Sequence, residues 1–243
     1  MRLLVLGAVG RGRGASLGAG GELLLAVGRY CLDASGEAAE LAFVVRETMR
    51  GQGMATTLCI LVDITDRKAK EERIRFLAQH DVLTELPNRA VVSDRLSQAL
   101  AAARRNGHRV GLLYIDLDRF KPVNDAYGHA VGDQLLRQAA IRMRGCVRES
   151  DTVARFGGDE FVVLLPLIDT LADAATVAEK IRAALADPFQ LAGLRVEVSS
   201  SIGVALYPDH GADEAALTLH ADAAMYAAKN CGRDRVTVFS LAA

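Results

Sequence analysis

The chain has 243 residues, of which 51% are hydrophobic and 24% are charged. This length allows one sizeable hydrophobic core and a smaller accessory part, and the composition is typical of a globular protein. Because basic and acidic side chains leave a formal net charge of -1, no overall field attracts nucleic acid or an anionic membrane, and we expect neither as a partner.

Cysteine usage and the first residues indicate where the protein works. The cysteines lie far apart and form no CxxC pair, which argues against a zinc site and a disulfide framework: Cys31, Cys59, Cys146 and Cys231. The first apolar run, of about seven residues, is too short for a signal peptide or a membrane span. We therefore expect a cytoplasmic protein without membrane insertion.

The first third of the chain predicts a tail and a small sheet. Residues 1–21 are rich in glycine, which loses much backbone entropy on folding, so they predict a flexible tail. Three short β-like stretches follow, near Tyr30, at 41–46 and at 56–62, with turn residues between them. They predict an antiparallel β meander over residues 22–66.

Residues 67–80 predict a connector helix. Glu71 and Arg75 stand at i,i+4 in the order that favours helix stabilisation. Ile74 and Leu77 give the helix a narrow apolar stripe. A short stripe of this kind is suited to pairing with the same helix of a second copy.

The meander and the DITDRKAKEE segment after it resemble the C-terminal (PAC) part of a PAS sensor domain that leads into a signalling helix. The resemblance covers only about the last three strands of such a domain. It implies a partial PAS-like segment. The alternative is a strand remnant without a sensor's ligand pocket.

After His80 the pattern alternates between helix and strand. A proline start precedes helical apolar spacing at 91–103, and a continuous apolar run at 110–115 indicates a strand buried on both faces. Further helices and strands are predicted at 131–147, 153–156, 160–166, 174–185, 196–206, 217–229 and 236–239. This order predicts an α/β domain with a mixed sheet covered by helices.

Two acidic motifs lie at predicted strand ends. Asp116 and Asp118 close the buried strand, and Asp159 and Glu160 follow a glycine pair at a hairpin tip. Carboxylates placed together repel one another, and Mg²⁺ held by one or two of them plus triphosphate oxygens removes that repulsion. Taken alone, each acidic pair also fits a turn solvated at the surface.

The string DLDRFKPVNDAYGHAVGDQLL, followed by RFGGDEF, resembles the GGDEF family of diguanylate cyclases. HDVLTELPNR matches the family's opening, SSSIGVALYP a later strand, and ADAAMYAAKNCGRDRV the last helix and turn. The matching motifs span residues 80–240. One departure is Glu85, where the family usually has glycine, and we expect only a local backbone adjustment there.

The resemblance implies a palm-like catalytic domain over residues 81–243, with a mixed, mainly antiparallel central sheet flanked by helices. It also implies an activity, the condensation of two GTP molecules into cyclic di-GMP and two pyrophosphates. The implied cofactor is Mg²⁺, with Mn²⁺ as an alternative ion. Phosphoryl transfer of this kind depends on positioning and charge neutralisation more than on covalent chemistry.

The metal ligands implied by the resemblance are Asp116, the backbone carbonyl of Leu117, Asp159 and Glu160. Asp159 and Glu160 are also the implied catalytic residues. Glu160 resembles the family residue that either binds metal or helps to deprotonate the attacking 3′-hydroxyl.

The implied guanine-binding residues are Asn124 and Asp133. The N1 and N2 donors of guanine suit a carboxylate acceptor, whereas adenine would leave that acceptor unpaired. Without the resemblance, a turn and a helix start explain the two residues equally well. The implied triphosphate contacts are Phe120, Lys121, Gly157, Gly158, Lys229 and Arg233. The last two lie at a predicted helix end, where cations also have a purely structural role.

Arg148 and Asp151 match the family's RxxD inhibitory site, at which product binds and restrains the dimer. Five residues separate the motif from Gly157, which is the family's spacing. Each domain holds one GTP, so a product with two new bonds requires two domains facing each other, and the resemblance implies a homodimer. The expected partners are GTP, cyclic di-GMP at the inhibitory site and a second copy of the chain.

Two other functions stay open. One is a catalytically silent receptor that binds cyclic di-GMP through Arg148 and Asp151; a damaged GGDEF signature would favour it, and this signature is intact. The other is a cyclase acting on a single nucleotide. It shares the metal chemistry but gains no support from Asn124 and Asp133 as guanine-binding residues.

Overall fold

The computed structural model describes residues 22–31, 38–48, 56–63, 73–74 and 76–240. The chain divides into two units, Met1–Arg75 and Phe76–Ala243. The predicted tail, the turns of the meander and half of the predicted connector helix lie outside the described residues.

The first unit contains an antiparallel sheet. Its strands are β1 (Glu22–Cys31), β2 (Ala38–Thr48) and β3 (Thr56–Asp63), in the order β1-β2-β3. Cross-strand partners such as Val27 and Ala42 run in antiparallel register. The predicted meander is therefore confirmed. Such a meander occurs in many folds, so the PAS resemblance stays a prediction.

The end of the connector is helical at residues 73–74 and 76–79. The side chains of Ile74 and Leu77 are 66% and 41% exposed. The stripe that we expect to pair with a second copy is therefore open to solvent in the single chain.

The helices and strands of the second unit follow in this order: α1 (Arg89–Asn106), β4 (Arg109–Asp118), α2 (Phe120–Tyr127), α3 (His129–Cys146), β5 (Thr152–Gly157), β6 (Glu160–Ile168), α4 (Leu171–Ala186), β7 (Phe189–Leu191), β8 (Leu194–Val196), β9 (Ser199–Tyr207), α5 (Glu214–Asn230) and β10 (Arg235–Val238).

The central sheet has the strand order β10-β9-β4-β6-β5. All neighbours are antiparallel except β10, which lies parallel to β9. Helices flank the sheet, so the predicted mixed, mainly antiparallel architecture is confirmed. Strand β4 lies in the middle and is buried from its second residue to its last.

Alternation along β4 distributes its side chains between two cores. Leu113 and Ile115 pack in the cluster that contains α3 and α4, whereas Leu112 and Tyr114 pack in the cluster that contains α1 and α5. Successive strand residues point to opposite faces. Asp116 has the same parity as Tyr114, so its carboxylate belongs to the face covered by α1 and α5.

Gly203 in β9 lets α5 approach the sheet closely. A Cβ added at this position would overlap the backbone oxygen of Ala221 and the backbone nitrogen of Met225. Because backbone atoms of a packed helix cannot move aside, any larger residue would force α5 away. Gly203 therefore fixes the height above the sheet of the helix that carries Lys229.

The second unit differs from the predicted element order in two places. The strand predicted at 196–206 is interrupted at Glu197 and Val198, because Val196 ends β8 and β9 begins only at Ser199. Strand β8 pairs instead with β7, across a turn at Ala192 and Gly193 with φ of 50° and 82°. Positive φ at both central positions is the geometry of a two-residue hairpin. The second difference is the helix α2, which was not predicted. Its residues were recognised only as part of a motif.

Glu85 takes a left-handed backbone conformation, with φ of 57°, and its N–H donates to the carbonyl of Asp81 at 2.8 Å. Our expectation of a local backbone adjustment stays a prediction; Glu85 adopts a conformation that glycine reaches without penalty. An L-residue in this region costs about 1–2 kcal/mol.

Within the described part of the chain, no helix combines the length and the apolar character that crossing a membrane requires.

Candidate active site

Two carboxylates face each other where β4 meets the hairpin between β5 and β6. Asp116 and Glu160 are direct cross-strand partners, so their side chains leave the sheet on the same face. The N–H of Leu117 donates to the carbonyl of Asp159 at 3.2 Å, which ties the hairpin tip to β4. The predicted metal ligands are thus brought to one end of the sheet.

Asp116 is only 6% exposed, and the Nζ atom of Lys229 lies 2.7 Å from its Oδ2 atom. Burial raises the pKa of Asp116 to about 6; the hydrogen bond from Lys229 opposes this, and the nearby charges of Asp159 and Asp118 add to it. The carboxylate therefore stays largely ionised at neutral pH, and any further positive charge beside it would stabilise the ionised form.

The carboxyl groups suit a magnesium ion whose shell is completed by substrate. Among the described residues, no three His, Cys, Asp or Glu side chains are close enough to form a closed metal centre. Mg²⁺ typically takes one or two carboxylates together with water and phosphate oxygens. Asp116, with Glu160 opposite it and Asp159 adjacent, fits this requirement.

Asp118 has a different role from its neighbour. It is 2% exposed and accepts hydrogen bonds from Ser199 Oγ at 2.7 Å, Ser201 Oγ at 2.8 Å and the N–H of Asp234 at 3.1 Å. A carboxylate with these donors holds the loop after α5 in place. The sequence analysis grouped Asp118 with Asp116 and missed this role.

The loop after α5 places a second cation beside Lys229. Arg233 has φ of 61°, and its Nε atom lies 3.9 Å from Asp118 Oδ1, with half of its side chain exposed. Asp234 is in turn held by Arg182 of α4, whose Nη1 atom lies 2.6 Å from Asp234 Oδ1. Lys229 and Arg233 therefore both lie near carboxylates at the end of β4, and their role as triphosphate contacts stays a prediction.

The tip of the β5–β6 hairpin is unobstructed, and the side chain of Arg155 holds it in place. Gly157 and Gly158 have φ of 144° and 52°, and a Cβ added at either would meet no atom within 4 Å. Arg155 donates to the carbonyl of Gly158 at 2.7 and 3.0 Å and lies 2.8 Å from Asp81. Although burial opposes it, hydrogen bonds from Thr84 and Arg155 lower the pKa of Asp81. Sequence reasoning missed this anchor.

Glu160 has a partner that the sequence analysis also missed. The Tyr114 hydroxyl donates to Glu160 Oε2 at 3.0 Å. Burial, the hydrogen bond and the charge of Glu160 raise the pKa of Tyr114 to about 12. The phenol therefore remains protonated, and hence a donor, at neutral pH.

The two predicted guanine-binding residues lie where α2 packs on α3. Asn124 Oδ1 is buried and has no hydrogen-bond partner among the described residues. The amide lies against Gly132, where an added Cβ would overlap Asn124 Oδ1. Gly132 precedes Asp133, which is half-buried. An unpaired buried acceptor costs free energy, so this site is suited to a ligand with N–H donors.

The N-terminus of α2 faces the same end of β4. Its N-cap residue, Arg119, has φ of 59° and provides no side-chain cap. The first N–H groups of a helix have no partner within the helix, and together with the helix dipole they favour an anion. Phe120 and Lys121, the predicted phosphate contacts, are the first two residues of this helix.

Arg148 and Asp151 form a tight turn away from the carboxylates. The Arg148 N–H donates to Asp151 Oδ2 at 2.9 Å, and the Asp151 N–H donates to the Arg148 carbonyl at 3.1 Å. A cavity of about 420 Å³ and another of about 430 Å³ border this turn, and Arg95 and Arg144 line the second. The second cavity is also lined by Glu85, Glu149 and Asp151, so the exposed Arg148 side chain borders a depression of mixed charge.

Comparisons with known proteins identify the family of this domain. The family model described as "Diguanylate cyclase, GGDEF domain" matches residues 78–235. The bifunctional diguanylate cyclase/cyclic di-GMP phosphodiesterase MucR of Pseudomonas aeruginosa is 50% identical over 172 residues, which are 71% of this chain and 25% of MucR.

Two crystal structures of GGDEF domains are also similar to this chain. The GGDEF domain of TpbB from P. aeruginosa is 48% identical, with a TM-score of 0.64, and the match covers 65% of this chain and 99% of that one. The coiled coil and GGDEF domain of DgcB from Caulobacter crescentus, in complex with cyclic di-GMP, is 31% identical, with a TM-score of 0.64 and coverage of 72% and 93%.

The chain spans between about a quarter and about a third of the length of the curated relatives that it matches first. The family model nevertheless covers well over half of this chain. The chain belongs to the family of diguanylate cyclase GGDEF domains.

Proposed function

We propose that this protein is a diguanylate cyclase that condenses two GTP molecules into cyclic di-GMP and releases two pyrophosphates. The observation that carries the proposal is the pairing of Asp116 with Glu160 at the end of β4, with Lys229 Nζ 2.7 Å from Asp116. Two facing carboxylates with a cation beside them suit a metal-bound triphosphate.

Asp116, Asp159, Glu160 and the carbonyl of Leu117 are the groups that would hold Mg²⁺, or Mn²⁺ in its place. When bound, the ion supplies charge neutralisation to the triphosphate and to the attacking oxygen. Glu160 has a second oxygen that Tyr114 does not contact, and this oxygen can accept the proton of the 3′-hydroxyl. The proton then resides on Glu160 as the new phosphodiester bond forms and pyrophosphate leaves.

Lys229 and Arg233 bind the triphosphate in this proposal. Lys229 forms an ion pair with Asp116, and it can turn to the phosphates once another cation takes its place. The N–H groups of Phe120 and Lys121 at the uncapped α2 terminus contribute further donors. The hairpin at Gly157 and Gly158 leaves room for the phosphates to approach the backbone.

Asn124 and Asp133 select guanine. The buried Asn124 Oδ1 atom is available as an acceptor, and Asp133 accepts from the N1 and N2 donors of guanine. Adenine offers no donor at N1, so its binding would leave these acceptors unpaired.

The reaction needs two copies of the chain, because each domain holds one GTP and the product has two new bonds. The exposed Ile74 and Leu77 on the helix before the domain are suited to pairing with the same residues of a second copy. Pairing at this helix raises the effective concentration of one domain beside the other. A cytoplasmic location, where GTP is made and used, stays a prediction.

The test is incubation of the purified chain with GTP and Mg²⁺, followed by chromatographic identification of the products. We expect cyclic di-GMP and pyrophosphate from GTP, no product from ATP, and no reaction after chelation of divalent ions. A parallel incubation with cyclic di-GMP tests for the phosphodiesterase reaction that MucR's description includes. Absence of cyclic di-GMP synthesis in a chain that binds GTP would contradict the proposal.

Arg148→Ala should weaken binding of cyclic di-GMP by about tenfold or more, because the guanidinium can form a bidentate contact to the O6 and N7 edge of guanine. Product yield should rise in long incubations, while the rate before product accumulates should match that of wild type. Calorimetry with cyclic di-GMP and full progress curves measure both effects.

The matched control is Arg105→Ala, which removes an exposed arginine of α1. It should leave product binding and the progress curve unchanged. If the wild type neither binds cyclic di-GMP nor slows as it accumulates, the turn at Arg148 and Asp151 is an ordinary helix-end turn. Binding without any synthesis would instead favour the silent receptor.

A further inference from the structure

Tyr114 lies two residues before Asp116 in the central strand. Its partner in β6 is Val162, and the partner of Asp116 is Glu160, so Tyr114 and Glu160 are diagonal neighbours on one face of the sheet. Its side chain is 5% exposed, and its hydroxyl donates to Glu160 Oε2 at 3.0 Å. A buried hydroxyl needs a partner, and here the partner is the carboxylate to which we assign the proton transfer.

The tyrosine ring packs against Phe156, and Phe156 is in turn covered by Arg89. Phe156 of β5 contacts the tyrosine ring edge to face, with ring centroids 5.8 Å apart at 87°. The guanidinium of Arg89, the first residue of α1, lies over the Phe156 ring, 4.7 Å from the centroid of that ring. A phenol held in this way presents its hydroxyl in one position, in contrast to a water molecule or a mobile side chain.

We propose that Tyr114 is a positioning residue for Glu160: its hydroxyl holds Oε2 and leaves Oε1 as the oxygen presented to the metal and to the attacking 3′-hydroxyl. This inference rests on the proposed function. A glutamate at a strand end has several rotamers, and the cation of Lys229 beside Asp116 is a competing partner for it. The hydrogen bond keeps Glu160 from turning toward that cation.

Packing alone does not require the hydroxyl. Phenylalanine at this position would keep the edge contact with Phe156 and the burial against Leu112 and Val162, which belong to the same core cluster. Only the donated hydrogen bond would be lost. Tyr114→Phe therefore separates positioning from packing.

The experiment compares wild type, Tyr114→Phe and a matched control at saturating GTP. We expect Tyr114→Phe to lower kcat by about tenfold to a hundredfold, with KM for GTP changed by less than about threefold, since the guanine and phosphate contacts remain. The control is Tyr207→Phe, a half-buried tyrosine of β9 that packs against the same core cluster, and it should retain wild-type kcat.

A second measurement does not depend on turnover. The Mg²⁺ concentration that supports half-maximal binding of a non-hydrolysable GTP analogue should rise several-fold in Tyr114→Phe and stay unchanged in Tyr207→Phe. In a Glu160→Gln background, adding Tyr114→Phe should lower kcat by less than about twofold, because residues that act through one another are not additive.

A folded Tyr114→Phe with wild-type kcat and wild-type Mg²⁺ dependence would show that the hydroxyl only fills its site, and it would overturn the inference alone. The full effect of Tyr114→Phe persisting in the Glu160→Gln background would do the same. A wild type that forms no cyclic di-GMP would overturn the proposed function and the inference with it, so the two failures are distinguishable.

Discussion

Replacing Asp159 with alanine is expected to lower the rate of cyclic di-GMP synthesis by about a hundredfold or more. Asp159 is half-buried at the hairpin tip beside Asp116, whose pKa its charge helps to raise. Its loss removes one of the carboxylates that would hold Mg²⁺ against the triphosphate. The backbone carbonyl of Asp159, which accepts from Leu117, is kept in the variant, so the hairpin should keep its shape.

Initial rates at saturating GTP and Mg²⁺ measure this effect, and circular dichroism with thermal unfolding checks the fold. Asp94→Ala, which removes an exposed carboxylate of α1, is the control and should retain full activity. Turnover near that of wild type in a folded Asp159→Ala chain would exclude the metal role of this residue.

Gly132→Ala should weaken GTP binding by about tenfold to a hundredfold. The added Cβ would overlap Asn124 Oδ1 and lie 3.3 Å from Phe120 Cζ, so the Asn124 amide must turn away from its position. The substitution should not destabilise α3, since alanine favours a helix interior by about 1 kcal/mol over glycine. A stable protein with a raised KM for GTP is therefore expected.

Gly145→Ala is the matched control, because it lies in the same helix and its added Cβ would meet no atom within 4 Å. It should gain the same helix propensity and keep wild-type KM. Titration with GTP and ATP gives both affinities, and the preference for GTP should fall only in Gly132→Ala. Equal KM values in the two variants would exclude Asn124 from guanine binding.

The sequence predicts the periodic elements of this fold well and its short elements poorly. Strand β4 is a continuous apolar run, and α3 shows regular helical spacing, so local pattern alone identifies both. The interruption between β8 and β9 lies at Glu197 and Val198, where the sequence carries no glycine or proline to signal a break. The turn between β7 and β8 has positive φ at Ala192 and Gly193, of which only Gly193 is a usual signal. The eight-residue α2 has apolar residues at helical spacing, Phe120, Val123 and Tyr127, but so short a segment with a proline near its start gives only a weak helical signal.

The candidate site, too, can be predicted from the sequence only in part. The motif identifies Asp116 and Asp159 as chemical groups, and the structure brings them together. The separate role of Asp118 depends on Ser199 and Ser201, whose hydroxyls reach it only because β9 pairs with β4 in one register. The partnership of Tyr114 with Glu160 likewise requires the β4–β6 register. Register is a property of strand pairs, and no single segment encodes it.

The bonds that hold Asp118 also determine when the site can form during synthesis. Its partners Ser199, Ser201 and Asp234 follow it in the chain by 81, 83 and 116 residues. Contacts of such sequence separation form late, because a long loop must close first. After β4 has been synthesised, almost the whole of the domain must follow before the Asp118 carboxylate has all of its hydrogen-bond donors. A chain released before residue 234 therefore lacks a fully assembled site at the end of β4.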